Sequence, residues 1–260
     1  MSNVQSGRAI ASYIGAAIVF AILASLGTWQ MQRRAWKEDL LATISARRAL
    51  PPVTTFDITA LGCDPSNGLL DPCEFRPIKL KGRIADATEA HIFIAIPRQP
   101  NGLEGVGYWV FAPFELAGTA GPSHVWVNRG FVPQSRKAPE SRADPLSRAP
   151  IEVTGVIRQA EARGRFSGAN DWKSNIFYVR APAEFDPCVI CTAHQGCKCR
   201  PLAPFDYYID MIGPMPPSGL PYPMAGALTI ANRHLEYALT WYGLAVTWLI
   251  IALAAMRRRS

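Results

Sequence analysis

The sequence predicts a membrane α + β protein. Two transmembrane helices, one N-terminal and one C-terminal, flank an extracytoplasmic antiparallel β domain of small-barrel or sandwich-like form. Three observations predict it. The 24 residues from Ala9 to Gln32 carry no charge. Neither do the 20 residues from Tyr237 to Met256, and about 20 apolar residues wound as a helix cross roughly 30 Å of hydrocarbon. Between these runs the pattern has period two, in short stretches punctuated by Gly and Pro and without helical periods.

The first apolar run predicts a transmembrane helix over residues 10–30. Ala24-Ser25 are small enough for a signal-peptide cleavage site. The run is long, however, and passes through Gly27-Thr28-Trp29-Gln30 into a segment that is itself helical, so a retained helix is expected. Residues 31–50 are rich in Arg, Ala, Leu, Lys and Glu, with Trp36, Leu40 and Ile44 every four residues. They form a membrane-proximal continuation with Trp29 and Trp36 as interfacial anchors, and Pro51-Pro52 ends it.

Residues 51–231 make up the β domain, with cysteine-containing insertions. Strands are expected at 76–84, 91–97, 107–116, 125–132, 151–159 and 176–179, with 207–211 and 227–230 as candidate last strands. The stretch 57–71 reads as loop, and 135–149 as loop or disordered. A second transmembrane helix follows over 232–256, then a basic tail at 257–260.

Arg257, Arg258 and Arg259 directly after the second helix place the C-terminus in the cytoplasm, and two spans place the N-terminus beside it. Arg33, Arg34 and Lys37 after the first helix argue the other way. Long domains translocate largely regardless of charge, so the C-terminal arginines decide. The net charge of +7 partly reflects these flanks. It is not arranged as a basic stripe interleaved with aromatics, which excludes a nucleic-acid reader.

No nucleophile elbow, P-loop or paired-carboxylate helix is present, so no catalytic residue is assigned and the chain is not expected to be an enzyme. Three groups remain. His234, Ala238 and Trp241 share one helix face where the chain enters the membrane; this stripe either holds a flat apolar cofactor or packs against the other helix. Asn128-Arg129-Gly130 interrupts an apolar strand, either as a polar edge with Gly130 at a bulge or as a partner-binding element. Cys188 and Cys191, His194, then Cys197 and Cys199 have metal-ligand spacing; the alternatives are a metal site, disulfides, which a compartment outside the cytoplasm favours, or free thiols. Cys63 and Cys73 bracket a turn-rich loop that a bridge would staple.

Several of these segments together resemble the Surfeit locus family of cytochrome c oxidase assembly factors. They are Leu26-Gly27-Thr28-Trp29-Gln30 with Arg33 and Trp36-Lys37, Glu74-Phe75-Arg76-Pro77, and Gly107-Tyr108-Trp109-Val110 with Pro113-Phe114. Val127-Asn128-Arg129-Gly130-Phe131-Val132-Pro133 and His234-Leu235-Glu236-Tyr237-Ala238-Leu239-Thr240-Trp241-Tyr242-Gly243 complete the set. The resemblance implies a protein of the bacterial inner membrane with a periplasmic central domain and both termini cytoplasmic. It implies transient binding of haem a and assistance in its insertion into the oxidase catalytic subunit, with oxidase subunits and the haem a synthase as partners besides the lipid bilayer. Carried over, His234 is the haem ligand; the residues around it agree, since Ala238 leaves room beside the ring, Trp241 can stack on the macrocycle and Arg233 can pair with a propionate at the water boundary. Asn128, Arg129 and Gly130, inside a matched motif, are the candidate partner-binding residues. Two alternatives stand beside this: a haem-free scaffold for oxidase subunits, and a membrane-anchored thiol or metal module built on Cys188, Cys191, His194, Cys197 and Cys199. That cysteine cluster lies outside the family pattern.

Overall fold

The computed structural model describes residues 2–84, 89–99, 101–118, 124–142, 149–186, 206–225 and 232–258. Its elements in chain order are α1 (Ser2–Arg48), β1 (Pro77–Ile84), β2 (Ala90–Ile96), β3 (Gly105–Leu116), β4 (His124–Pro133), β5 (Ile151–Gln159), α2 (Pro182–Phe185), β6 (Tyr207–Gly213) and α3 (His234–Arg257). They divide into two compact units: Met1–Ser45 with Thr229–Ser260, and Ala46–Leu228.

The first unit is a helix pair. One unbroken helix, α1, covers both the apolar run and the charged continuation. It ends before Pro51, whose ring disfavours helical geometry at the residue before it. Both α1 and α3 are long and apolar enough to cross a membrane. Gln30 meets His234, Thr28 meets Tyr242, and the carbonyl of Ala16 meets Trp248. Numbers rise along one helix as they fall along the other, so the pair is antiparallel. Close approach comes from small residues: Ala238 and Ala245, seven apart on one face, are buried on α3, as is Gly27 on α1. A Cβ at Gly27 would lie 2.6 Å from the Tyr242 ring, so this position admits only hydrogen. Ile14, Ile18, Ile22, Leu239, Ile250 and Ile251 are all more than half exposed.

The second unit is a barrel. Strands follow the order β1-β5-β6-β4-β3-β2, and β1 also pairs with β3 through Gly82↔Leu116 and Ile84↔Phe114, closing a ring of five. Long β3 thus carries β1 and β2 end to end along one edge, with β4 along the other. The expected alternation holds in β1, where Ile78, Leu80 and Ile84 are buried while Lys79, Lys81 and Arg83 are exposed. The core is built from these residues with Phe114, Val127, Ile157 and Ile209.

Two strand expectations are corrected. The sheet is mixed rather than antiparallel, because β4 and β6 run parallel; the chain from β4 to β6, which includes β5, is long enough for the return that parallel pairing needs. Residues 176–179 form no strand, only isolated bridges, Ile92↔Phe177 and Asp171↔Ile176. The candidate strand 227–230 lies outside the described residues.

Before β1, Cys63 and Cys73 are joined in a disulfide with Cα atoms 5.3 Å apart. Asp71 lies beside them, but the sulfurs are bonded to each other and leave no thiolate for a metal. Instead the Asp71 carboxylate accepts from the Tyr207 hydroxyl at 2.6 Å and the Cys73 backbone N–H at 2.9 Å. Those bonds tie the stapled loop to β6.

Candidate functional site

His234 is the first residue of α3 and is half-buried. Its Nδ1 lies 2.8 Å from Oε1 of Gln30 on α1. An amide oxygen only accepts, so Nδ1 must carry the proton and donate it. In the neutral ring the lone pair then sits on Nε2. No other hydrogen bond engages this ring among the described residues.

The neighbours divide. Ala238, one turn along, is fully buried in the helix seam, so that side of the stripe is filled by packing. Trp241 is half-buried. Arg233 is exposed just before α3, and its carbonyl accepts from Tyr237 N–H at 3.3 Å. Its side chain makes no hydrogen bond or ion pair with a described residue. In the sequence Gln30 had no role beyond its place in the motif of residues 26–30; its other signal was a polar side chain near the end of an otherwise apolar run, two positions from Thr28.

Asn128, Arg129 and Gly130 are all buried in β4. Val110 pairs with Gly130 and Phe111 with Asn128, so Arg129 is the extra residue of a β-bulge. Gly130 has φ 128°, and a Cβ there would lie 2.1 Å from the Tyr222 carbonyl oxygen. The bulge foreseen at Gly130 is present, but its polar residues point into the protein rather than to solvent. A partner would meet these three only through the groups they hold.

Those groups form two networks. In one, Asn128 Nδ2 donates to Asp210 at 2.8 Å, and Arg158 bridges Asp210 at 3.1 Å and Glu74 at 2.9 Å. The Arg158 guanidinium also lies 4.4 Å from the centre of the Phe75 ring. Phe75 has φ 65°, a strained conformation for a bulky residue; that cation–π contact and its N–H bond to the Ile157 carbonyl hold it there. Glu74-Phe75 and Asn128, separate segments in sequence, are thus brought into one cluster by β5 and β6.

In the other network, Glu89 accepts from Arg129 at 3.1 Å and from Arg142. His91 lies against it, with Nε2 at 3.4 Å from the carboxylate, while Nδ1 faces the Asn175 amide nitrogen at 3.0 Å. Burial alone would raise the Glu89 pKa. Hydrogen bonds from His91 and Arg142 and the charges of Arg142 and Arg129 outweigh it and hold the carboxyl below its ordinary value of 4.5. Glu89 and Arg142 gave no sequence signal, each being one charge among others in a connecting segment. Cys188, Cys191, His194, Cys197 and Cys199 lie outside the described residues.

Fold and site define a class: a mixed β-barrel with buried ion networks, flanked in chain order by two apolar helices, with a histidine on one helix held by an amide oxygen of the other. The model of the SURF1 family matches residues 17–246, a span that includes Gln30, both networks and His234. The chain belongs to the SURF1 family. It is similar to Surfeit locus protein 1 of Gallus gallus, 30% identical over 232 residues, which are 84% of this chain and 67% of that protein. Surfeit locus protein 1 of Takifugu rubripes is 29% identical, covering 84% of this chain and 86% of its own length. That of Homo sapiens is 29% identical over 229 residues, 84% of this chain and 69% of the human protein.

Proposed function

We propose that this chain is a non-enzymatic assembly factor for a haem-copper cytochrome c oxidase, holding haem a transiently and passing it to the catalytic subunit. The observation that carries the reading is the Gln30–His234 pair. It leaves Nε2 as an unprotonated imidazole nitrogen on a half-buried ring, the form that ligates haem iron. The donor set therefore fits a haem. Haem a would supply the iron that accepts this lone pair; Trp241 would lie against the macrocycle and exposed Arg233 would meet a propionate. Ala238 is buried in the helix seam and would not line the haem. A single protein ligand, rather than two, suits a carrier that must release its cargo.

The same reading puts α1 and α3 in the bacterial inner membrane. Their bare apolar faces are what lipid would cover, and an antiparallel pair puts both termini on one side. Arg257 to Arg259 favour the cytoplasm for that side, with the barrel in the periplasm, a compartment that tolerates the Cys63–Cys73 disulfide. Oxidase subunits and the haem a synthase are the proposed partners.

The test is co-expression with haem a synthesis, purification in detergent and a visible spectrum. A haem a band is expected in the wild type and should be lost in His234→Ala while the barrel stays folded. No band, or an unchanged band in the variant, removes the haem function and leaves a scaffold for oxidase subunits.

A further inference from the structure

We infer that Gln30 is the positioning residue for His234, setting which ring nitrogen is presented as a ligand and how strongly it binds. The inference rests on the haem reading above and adds a second helix to the site.

A histidine on α3 alone can present either nitrogen. Here the choice is made 204 positions away in sequence, by an amide oxygen 2.8 Å from Nδ1. The register that brings the two side chains together is fixed deeper in the seam. Gly27, one turn from Gln30, lies under the Tyr242 ring, and Thr28 Oγ1 is 3.1 Å from the Tyr242 hydroxyl. Trp248 donates its indole N–H to the Ala16 carbonyl at 3.0 Å. Sliding one helix past the other would break all of these contacts together. The ring is therefore held by the pair of helices rather than by its own.

The chemical type of the partner also matters. A histidine ligand commonly donates its remote N–H to a carboxylate, which makes the ring a stronger ligand. An amide oxygen bears no full charge, so it orients the ring with a smaller gain in basicity. Gln30 thereby fixes the ligand while keeping it weak, which suits a site that must let go.

The experiment reads the tautomer first, without haem. The full chain is labelled with 15N-histidine, placed in detergent micelles at about pH 8, where an ordinary imidazole is neutral, and its His234 ring signals are assigned by their loss in His234→Ala. The expected result is a proton on Nδ1 in the wild type and in Gln30→Glu, and its movement to Nε2 in Gln30→Met, which keeps side-chain length but removes the acceptor. A wild-type ring protonated on Nε2, or no change in Gln30→Met, overturns the inference.

Haem a is then titrated into each form. Gln30→Met should bind about 10–100-fold more weakly. Gln30→Glu should restore or exceed wild-type affinity and lower the reduction potential of the bound iron. Wild-type affinity in Gln30→Met overturns the inference even where His234→Ala abolishes binding. If the tautomers behave as expected but the wild type binds no haem a, the positioning role stands and the haem reading falls.

Discussion

In the barrel, Ile78, Val110, Phe111, Phe114, Val127, Ile157 and Ile209 are wholly enclosed, and even charged side chains such as Arg129 and Asp210 are buried. In the helix unit, the buried positions among the described residues are Gly27, Ile44, Ala238 and Ala245. Three of those four have almost no side chain. The barrel is therefore held by enclosed apolar volume and by largely buried ion pairs. The helix pair is held by close backbone approach and a few polar ties, its larger apolar side chains turned outward. Burial of apolar surface from water drives the first. With the helix pair in lipid, as proposed, that driving force would be absent between the helices, and packing with interhelical hydrogen bonds would take its place. The two units should accordingly respond to different substitutions.

The largest effect is expected from breaking the Glu89 network. Glu89→Gln leaves Arg129 and Arg142 buried beside a neutral amide and should cost the barrel roughly 3–5 kcal/mol, measured by denaturant unfolding of the full chain in detergent. The pH dependence sharpens the point. Glu89 has a folded pKa below 4.5, so its contribution is fully present above that value and is lost as pH falls through the folded pKa. Glu89→Gln should flatten the acid limb of the stability curve, and an unchanged limb would show that other carboxylates set it.

Next comes the Cys63–Cys73 staple. Replacing both cysteines with serine should cost about 2.7 kcal/mol on the loop-entropy estimate, again read as barrel unfolding, with no effect on the His234 ring signals.

Gly27→Ala should do the reverse. Overpacking against Tyr242 is expected to cost about 1–3 kcal/mol and to disturb the His234 ring signals while barrel unfolding keeps its midpoint.

The smallest effect belongs to the Thr28–Tyr242 tie. A double-mutant cycle of Thr28→Val and Tyr242→Phe should return a coupling of about 0.6 kcal/mol. A coupling as large as that of the Glu89 network would erase the contrast between the units.

Much of this organisation was legible in the chain. Uncharged runs announce helices because lipid leaves backbone groups no other partner. Period two announced β1 because alternate side chains face opposite sides of a sheet. The family motifs around Gln30, Asn128 and His234 were visible as separate segments. Their relations were not: nothing local in Glu74-Phe75 points to Asn128, and nothing near His234 points to Gln30.

Sequence alone determined the two apolar helices, the barrel-like middle and the histidine at the mouth of the second helix, because each follows from local periodicity and charge. Tertiary structure alone decided the parallel pairing of β4 with β6, the burial of Asn128 and Arg129, and the nitrogen that His234 leaves free. Those depend on contacts between residues tens to hundreds of positions apart, where strand direction and hydrogen-bond partner are set by packing and leave no trace in the local pattern.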